Sequence, residues 1–295
     1  RTGLLTEAEV VPAPHATPFF VPGTDGRTRA FLKVQDGCDN RCTFCIVTVA
    51  RGRGRSLAAD RVVDEVRRLL DAGYREVVLS GVHLGSWGQD LNPRRRLSEL
   101  VRRILGETGL DRLRLSSLEP WDLDESFFEL LRDSRLLPHL HLPLQSGSDS
   151  TLRRMARRTS PTEFARLVES ARAVAPDVSI STDVMVGFPG ESEEEFRQSL
   201  RFVEEMAFSR LHVFRFSSRP GTVAATMPDQ VSTASRQERS RLLHELGAEL
   251  ERGFRRRFLG RVLPVLWETG ETTDGAVRWS GLTDNYIRVV AEAGE

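Results

Sequence analysis

The apolar residues of this 295-residue chain change their spacing repeatedly between about residue 30 and residue 216. Short runs of alternating or continuous apolar residues are typical of β-strands, whereas apolar residues three and four apart are typical of helices. The segment 59–72, for example, carries five apolar residues on one helical face, and Gly73 follows where a C-terminal cap belongs. Strand and helix patterns therefore alternate along this region.

Six predicted strands are separated by predicted helices. The strands are expected at Ala30–Gln35, Glu76–Ser80, Arg112–Ser117, His139–Pro143, Val178–Val186 and Arg210–Phe216. The helices are expected at Ala59–Ala72, Leu97–Thr108, Asp124–Leu131, Pro161–Ala175 and Ser192–Ala207. Such alternation favours parallel strands joined by right-handed crossovers. A complete eight-fold barrel takes about 250 residues. Because less chain is available, the pattern predicts an α/β fold with a partial (β/α)6 barrel.

The flanking segments have different patterns. Residues 1–29 are rich in proline and glycine and predict a linker or surface arm, and residues 30–234 form the predicted barrel. Residues 235–259 predict a long connecting helix with one apolar face. In 260–295, short β-like runs at Val262–Leu266, Ala276–Trp279 and Tyr286–Val290 are broken by glycines and predict the start of a small β-barrel.

Composition limits the possible classes of protein. Hydrophobic residues make up 39% of the chain and charged residues 28%, which is typical of a globular protein. No apolar run approaches the roughly 18 residues that cross a bilayer, and residues 1–29 lack a signal-peptide pattern. We therefore expect a cytoplasmic protein without membrane contact. The 42 basic and 42 acidic side chains cancel, so any nucleic-acid contact must come from local patches.

All three cysteines lie in the stretch GCDNRCTFCIV, at Cys38, Cys42 and Cys45. Disulfides are disfavoured because the number is odd and the chain has a cytosolic character. Zinc is a second possibility, but a structural zinc site takes four ligands, and a histidine at 83, 139 or 141 could complete one only through the fold. The third possibility is an iron–sulfur cluster held at three corners, which leaves one iron open to a small molecule.

The spacing C-x3-C-x2-C, with the aromatic Phe44 before the last cysteine, resembles the signature of the radical S-adenosylmethionine superfamily. Several longer stretches resemble landmarks of its radical methylthiotransferases and together run from Arg29 to Thr222. They are RAFLKVQDGCDNRCTFCIVTVARGRGRS, VVLSGVHLG, RLSSLEP, HLHLPLQSGSDSTLRRMARR, STDVMVGFPGE and LHVFRFSSRPGT. GLTDNYIRV resembles the opening of the TRAM module, the small RNA-binding β-barrel that ends these enzymes. Arg215 and Phe216 depart from the proline and tyrosine expected there.

The resemblance implies a chemistry. A three-cysteine [4Fe–4S] cluster would bind S-adenosylmethionine and, supplied with an electron by a flavodoxin or ferredoxin, would cleave it to a 5′-deoxyadenosyl radical that removes hydrogen from C2 of a modified adenine in tRNA. A second cluster is expected only in an N-terminal domain that this sequence does not contain. A monomer is expected.

Three segments most resemble the enzymes that methylthiolate N6-threonylcarbamoyladenosine next to the anticodon. They are KVQDGCDNRCTFC, RLSSLEP and GLTDNYIRV. Alternatives are a methylthiotransferase for isopentenyladenosine in tRNA, one for a ribosomal-protein aspartate, and a non-catalytic zinc-containing RNA-binding protein.

The candidate site residues follow from this fold and family. The cluster ligands are Cys38, Cys42 and Cys45. Ligand contacts are expected near the carboxyl ends of strands, at Phe44, Ser80, Gly81, Ser117, Glu119, Gln145, Ser146, Asp183, Gly187 and Phe188. Of these, Glu119 could instead pair with an arginine, and Asp183 should be paired or line a pocket. RNA phosphates are expected at Arg153, Arg154, Arg157, Arg158, Arg255, Arg256 and Arg257.

Overall fold

The computed structural model describes residues 28–273 and 276–293. The predicted arm over 1–29 therefore lies outside the described residues except for its last two. The strands are β1 (Arg29–Asp36), β2 (Arg55–Ser56), β3 (Glu76–Gly81), β4 (Arg112–Leu115), β5 (His139–His141), β6 (Ser179–Val186), β7 (Arg210–Arg215), β8 (Val265–Thr273), β9 (Ala276–Thr283) and β10 (Arg288–Ala293).

The helices are α1 (Val47–Arg51), α2 (Ala59–Asp71), α3 (Leu97–Glu107), α4 (Glu125–Phe128), α5 (Asp149–Arg154), α6 (Pro161–Val174), α7 (Glu193–Met206) and α8 (Thr233–Arg256). The helix expected at 124–131 is split into α4 and a 3₁₀ turn over Glu129–Arg132. None of the described helices is long and apolar enough to cross a bilayer.

Six strands form a curved parallel sheet in the order of the sequence. β1, β3 and β4 pair in parallel, and so do β5, β6 and β7. Isolated parallel bridges from Leu113 to Leu136 and from Ser117 to His141 join the two groups. β2 is an antiparallel edge strand beside β1. The predicted partial (β/α)6 barrel is confirmed.

The helices cover one face of this sheet because their apolar stripes match the helical repeat. In α2, Val62, Val63 and Val66 are buried against the strands. α7 begins with the capping box expected from the sequence, in which Ser192 and Glu195 satisfy each other's backbone N–H groups. α6 begins the same way at Ser160, with Pro161 at its first position.

The last three strands form a separate antiparallel sheet in the order β8–β9–β10. The small β element expected after the long helix is therefore present. Its first strand differs from the prediction, since it begins at Val265 rather than Val262 and continues to Thr273.

Glu76 joins this small sheet to the base of the parallel one. Its carboxylate is fully buried and accepts hydrogen bonds from Arg112 Nε at 2.9 Å and Arg114 Nε at 2.7 Å. Arg112 also pairs with Asp284, and Arg114 donates to the carbonyl of Asp284 at 3.1 Å. Because Asp284 lies in the turn after β9, two arginines of β4 hold that turn beneath the barrel.

Tyr286 completes the junction. Its ring lies under the guanidinium of Arg114, 4.6 Å from the ring centroid, and stacks on His139 with centroids 4.3 Å apart. The turn between β9 and β10 thus closes the amino-terminal end of the sheet.

We expect Glu76→Gln to lower the free energy of unfolding by about 3–5 kcal/mol, because it leaves the buried guanidinium of Arg114 without its counter-charge. Urea denaturation measures this. The matched control is Glu107→Gln, which removes an exposed partner of Arg103 and should leave the unfolding midpoint nearly unchanged. Equal midpoints for the two variants would contradict this role of Glu76.

Candidate functional site

The cysteine loop leaves β1 at its carboxyl end, the edge at which the other parallel strands also end. Gly37 begins the loop with φ +74°, and a Cβ there would lie 2.0 Å from the carbonyl oxygen of Arg53. Only glycine fits this turn. The next residue, Cys38, donates its N–H to the carbonyl of Gly52 at 3.0 Å. The start of the loop is therefore fixed by backbone geometry.

Thr43 ties the middle of the loop to the opposite side of the barrel. Its N–H donates to the carbonyl of Met155 at 3.1 Å, and its hydroxyl donates to the carbonyl of Arg154 at 2.8 Å. Its own carbonyl accepts from Ala224 N at 2.9 Å. The loop thus bridges β1, α5 and the segment after β7.

Gln35 is a buried residue that links the cysteine loop to the segment after β3, and no pattern in the sequence indicated this role. Its amide donates to the carbonyl of Gly37 at 2.9 Å and accepts from the backbone N–H of His83 at 2.8 Å. A Cβ at Gly81 would lie 3.0 Å from Gln35 Cβ, so Gly81 is small because Gln35 packs against it. A ligand contact at Gly81 stays a prediction.

The sulfur of Cys38 lies beside two nitrogen groups. The backbone N–H of Asn40 donates to it at 3.4 Å, and His83 Nδ1 lies 3.8 Å away. Burial lowers the pKa of His83, but hydrogen bonds to Asp122, 2.5 Å from Nε2, and to Cys38 outweigh it and raise that pKa to about 10. His83 is therefore protonated at neutral pH and places positive charge beside the sulfur.

The sulfur of Cys42 has its own cation. Arg157 Nη1 lies 3.9 Å from it, and the same guanidinium binds Glu119 through both terminal nitrogens, at 3.1 and 2.6 Å. Burial raises the pKa of Cys42, and Arg157 acts in the opposite direction. Glu119 thus takes the arginine pairing that the sequence left open as its alternative role.

The three thiols are free, half-buried and on one loop, and this arrangement fits a cluster better than a single ion. Three thiolates on one zinc lie about 3.8 Å apart, given Zn–S bonds of about 2.3 Å. In the part of the chain that the structure describes, one trio of side chains brings its ligand atoms within 4.8 Å of one another, and it contains no cysteine. A cubane spreads its thiolates over several irons.

Aromatic side chains shield one side of the loop. Phe44 packs edge-to-face on Phe188 with ring centroids 6.5 Å apart, and Phe188 packs on Phe216 at 5.5 Å. Met155 and Ala224 belong to the same buried cluster. Phe188, a predicted ligand contact, is fully buried in this cluster and its carbonyl accepts from Glu191 N. Its surroundings favour packing over ligand contact.

Two further candidates have their polar groups engaged inside the protein. Ser146 is fully buried, and its hydroxyl bonds Ser199 Oγ at 2.9 Å on α7. The N–H of Gly187, another predicted ligand contact, donates to Glu191 Oε2 at 2.6 Å. The positive φ of Gly187 serves this turn instead. Side chains distant in sequence thus satisfy both groups, and ligand contacts at Ser146 and Gly187 stay predictions.

The remaining polar candidates lie at or near the ends of their strands. Ser80 is half-buried in β3. Ser117 follows β4 and bridges to His141. Gln145 has φ +71° and exchanges backbone hydrogen bonds with Asp183 and Met185. Their contacts with a ligand stay predictions.

Asp183 is paired with two histidines from neighbouring strands, His141 and His212. The three side chains lie in the concave face of the sheet. His139 and His141, considered as zinc ligands from the sequence, line a cavity of about 320 Å³ whose wall contains none of the cysteines.

The arginines predicted to bind RNA differ in their exposure and in their ion pairs. Arg157 is buried and paired with Glu119, which disfavours its expected phosphate contact. Arg154 pairs with Glu195, Arg255 with Glu251, and Arg257 binds the carbonyl of Pro176. Arg153 and Arg158 are exposed on or beside α5, and Arg256 is exposed near the end of α8.

Curated relatives resemble most of the chain. Threonylcarbamoyladenosine tRNA methylthiotransferase MtaB of Bacillus subtilis is 40% identical over 280 residues, covering 93% of this chain and 61% of the relative. The protein of that name from Thermotoga maritima is 42% identical over 246 residues, 83% of this chain and 56% of the relative. The tRNA-2-methylthio-N(6)-dimethylallyladenosine synthase of Bartonella henselae is 39% identical over 242 residues, 81% of this chain and 53% of the relative. The chain thus spans little more than half the length of these relatives.

Solved structures share the fold at low identity. The radical S-adenosylmethionine methyltransferase TsrM from Kitasatospora setae matches with a TM-score of 0.57 and 19% identity, over 66% of this chain and 36% of that one. Coproporphyrinogen III oxidase HemN from Escherichia coli matches with a TM-score of 0.55 and 18% identity, over 77% and 53%. The family model described as the Radical SAM superfamily matches residues 32–203, which contain the cysteine loop and five of the six parallel strands. This chain belongs to the radical SAM superfamily, whose cofactors are a [4Fe–4S] cluster and S-adenosylmethionine.

Proposed function

We propose that this chain belongs to an enzyme that adds a methylthio group to C2 of N6-threonylcarbamoyladenosine in tRNA. The chain would contain the domain that carries out the radical chemistry and part of the region that binds RNA. The observation that carries the proposal is the loop of three cysteines at the carboxyl end of the partial barrel. Two of the sulfurs each have a positively charged side chain beside them. The names of the relatives at 36–42% identity supply the substrate.

Cys38, Cys42 and Cys45 would hold three irons of the cluster. When bound, a [4Fe–4S] cluster supplies the electron that cleaves S-adenosylmethionine to the 5′-deoxyadenosyl radical, which can remove hydrogen from C2 of the nucleoside. His83 and Arg157 stabilise negative charge on Cys38 and Cys42. Phe44 and Phe188 keep water from one side of the loop.

The second half of the reaction would use groups outside this sequence. A second cluster would need further cysteines, and these 295 residues contain only the three in the loop. We propose that the protein acts as a cytoplasmic monomer and takes electrons from a flavodoxin or ferredoxin. The small C-terminal sheet would act as the start of a TRAM-like module that binds tRNA.

A second candidate substrate is the isopentenyl-type adenosine, favoured by the Bartonella henselae relative at 39% identity. Mass spectrometry of tRNA nucleosides from a strain without the full-length gene separates the two substrates. Loss of the methylthio group from threonylcarbamoyladenosine alone supports the main proposal, and loss from the isopentenyl nucleoside alone would replace it.

Anaerobic reconstitution with iron and sulfide tests the radical chemistry. We expect a brown protein that converts S-adenosylmethionine to 5′-deoxyadenosine when reduced, measured by liquid chromatography. Cys42→Ala should abolish the product, because one corner of the cluster loses its ligand. Val49→Ala, an exposed change on the adjoining α1, is the matched control and should retain it. A colourless wild-type protein with one tightly bound zinc would instead support the non-catalytic alternative.

We expect the positive charge of Arg157 to help Cys42 ionise and bind the cluster. In the metal-free protein, Arg157→Gln removes the nearby positive charge and leaves Glu119 unpaired, so the pKa of the already raised Cys42 thiol should rise further. Alkylation of Cys42 at mildly alkaline pH should slow relative to Cys45 in the same chain, as followed by mass spectrometry. Arg158→Gln, an exposed neighbour, is the control. Unchanged relative rates in Arg157→Gln would remove this role.

Arg256 should contact a tRNA phosphate. Among the described residues, it has no acidic partner, whereas Arg241 on the same helix lies between Glu238 and Glu245. Arg256→Gln should reduce the slope of log affinity against log salt by about 0.7–0.9, and the control Arg241→Gln should leave it unchanged. Fluorescence anisotropy with tRNA measures both slopes. Identical slopes in wild type and Arg256→Gln would exclude this contact.

A further inference from the structure

The concave face of the sheet carries an unusual polar surface. In β5, β6 and β7 most residues that face the interior of the partial barrel are polar, because polar and apolar residues alternate with a period of two. Met185 and Phe214 are the apolar pair at the carboxyl end of this face. The polar residues are His139 and His141, then Ser179, Ser181 and Asp183, then Arg210 and His212. The registers place these side chains next to one another across the strands: His141 pairs with Ser181, and Asp183 pairs with His212.

Three of these side chains converge on one point. Asp183 Oδ1 lies 3.2 Å from His141 Nε2 and 3.2 Å from His212 Nδ1. All three candidate ligand atoms lie within 4.8 Å of one another, and this is the one such trio among the described residues. Metal–nitrogen and metal–oxygen bonds of about 2.0–2.2 Å at angles of 90–110° place neighbouring ligand atoms about 2.9–3.5 Å apart. The two separations from Asp183 Oδ1 lie within that range.

A neighbouring serine fixes the orientation of one ring of the trio. His141 Nδ1 bonds Ser181 Oγ at 2.9 Å, which orients the ring and directs Nε2 towards Asp183. Two arginines of the cavity wall have acidic partners, since Arg114 pairs with Glu76 and Arg29 with Glu268.

Open space lies beside the trio. His141 and His212 line the cavity of about 320 Å³, which is large enough for additional oxygen ligands. Two buried polar atoms of the same wall, His139 Nδ1 and Ser116 Oγ, have no hydrogen-bond partner within the described part of the protein. Such atoms normally bond water or a ligand. The cavity is therefore suited to a polar occupant.

We propose that His141, Asp183 and His212 form a mononuclear site for a divalent transition metal, separate from the cysteine loop. Two imidazoles and one carboxylate on one side of an ion, with open positions opposite, are typical of Fe²⁺ and also suit Zn²⁺, whereas Mg²⁺ and Ca²⁺ prefer oxygen ligands alone. The inference stands on this geometry and does not rest on the proposed function.

Zinc titration of a cysteine-free chain tests the site. The full chain carrying Cys38→Ala, Cys42→Ala and Cys45→Ala removes the competing thiolates. Isothermal titration calorimetry should give one Zn²⁺ per chain. Asp183→Asn and His212→Asn should each weaken binding by more than 100-fold, and Ser181→Ala by about 10–100-fold, because it loosens the ring of His141. His244→Asn, an exposed histidine on α8, is the control and should bind as tightly as its parent.

Two results would overturn the proposal: no saturable binding, or binding that Asp183→Asn and His212→Asn leave unchanged. Either would mean that the histidines only donate hydrogen bonds to Asp183. If the cysteine-free chain fails to fold, Co²⁺ absorption of the wild-type protein gives the same decision. Co²⁺ bound to the cysteines gives a sulfur charge-transfer band, whereas Co²⁺ at the His141–Asp183–His212 site does not. Asp183→Asn should therefore remove the absorption of Co²⁺ at this site and leave the sulfur charge-transfer band unchanged.

Discussion

The pairing of Glu76 with two arginines is the interaction on which the rest of the architecture depends. A partial barrel has an open interior and an amino-terminal end that no second half covers. A fully buried carboxylate must be paired, and Glu76 of β3 binds both Arg112 and Arg114 of the neighbouring strand β4. Their remaining donors hold the turn around Asp284, and Tyr286 stacks beneath. The small C-terminal sheet thereby becomes the floor of the cavity, so the element proposed to bind RNA is coupled to the barrel's interior.

At the opposite end, charge compensation organises the cysteine loop. Three thiolates close together repel one another, and burial raises the pKa of Cys42. The chain places a cation beside two of them and holds each cation with its own carboxylate: Asp122 for His83 and Glu119 for Arg157. These pairs join the loop to the ends of β3 and β4 and to the segment after α5. The fold thus places a cation beside two of the three cysteines before any cofactor binds.

Between the floor and the loop lies a wall of polar side chains where a closed barrel would have apolar packing. Alternation along β5, β6 and β7 directs histidines, serines and one aspartate inward, and the strand registers bring them into contact. The same alternation directs apolar residues such as Ile180 and Val184 outward against the helices. One periodic pattern therefore builds both the core and the cavity. The inward-facing positions can be polar because the outward-facing positions supply the apolar core.

The linear sequence determined the features that depend on neighbours along the chain. Strand and helix periods, the capping box at Ser192 and the single cysteine loop can all be read from spacing, because backbone hydrogen bonding and short loops involve nearby residues. Tertiary structure decided what depends on distant partners. The burial of Arg157, the engagement of Gly187 N by Glu191 and the meeting of His141, Asp183 and His212 each follow from strand order and register. No local pattern carries that information, since electrostatic and packing partners are set by distance in space.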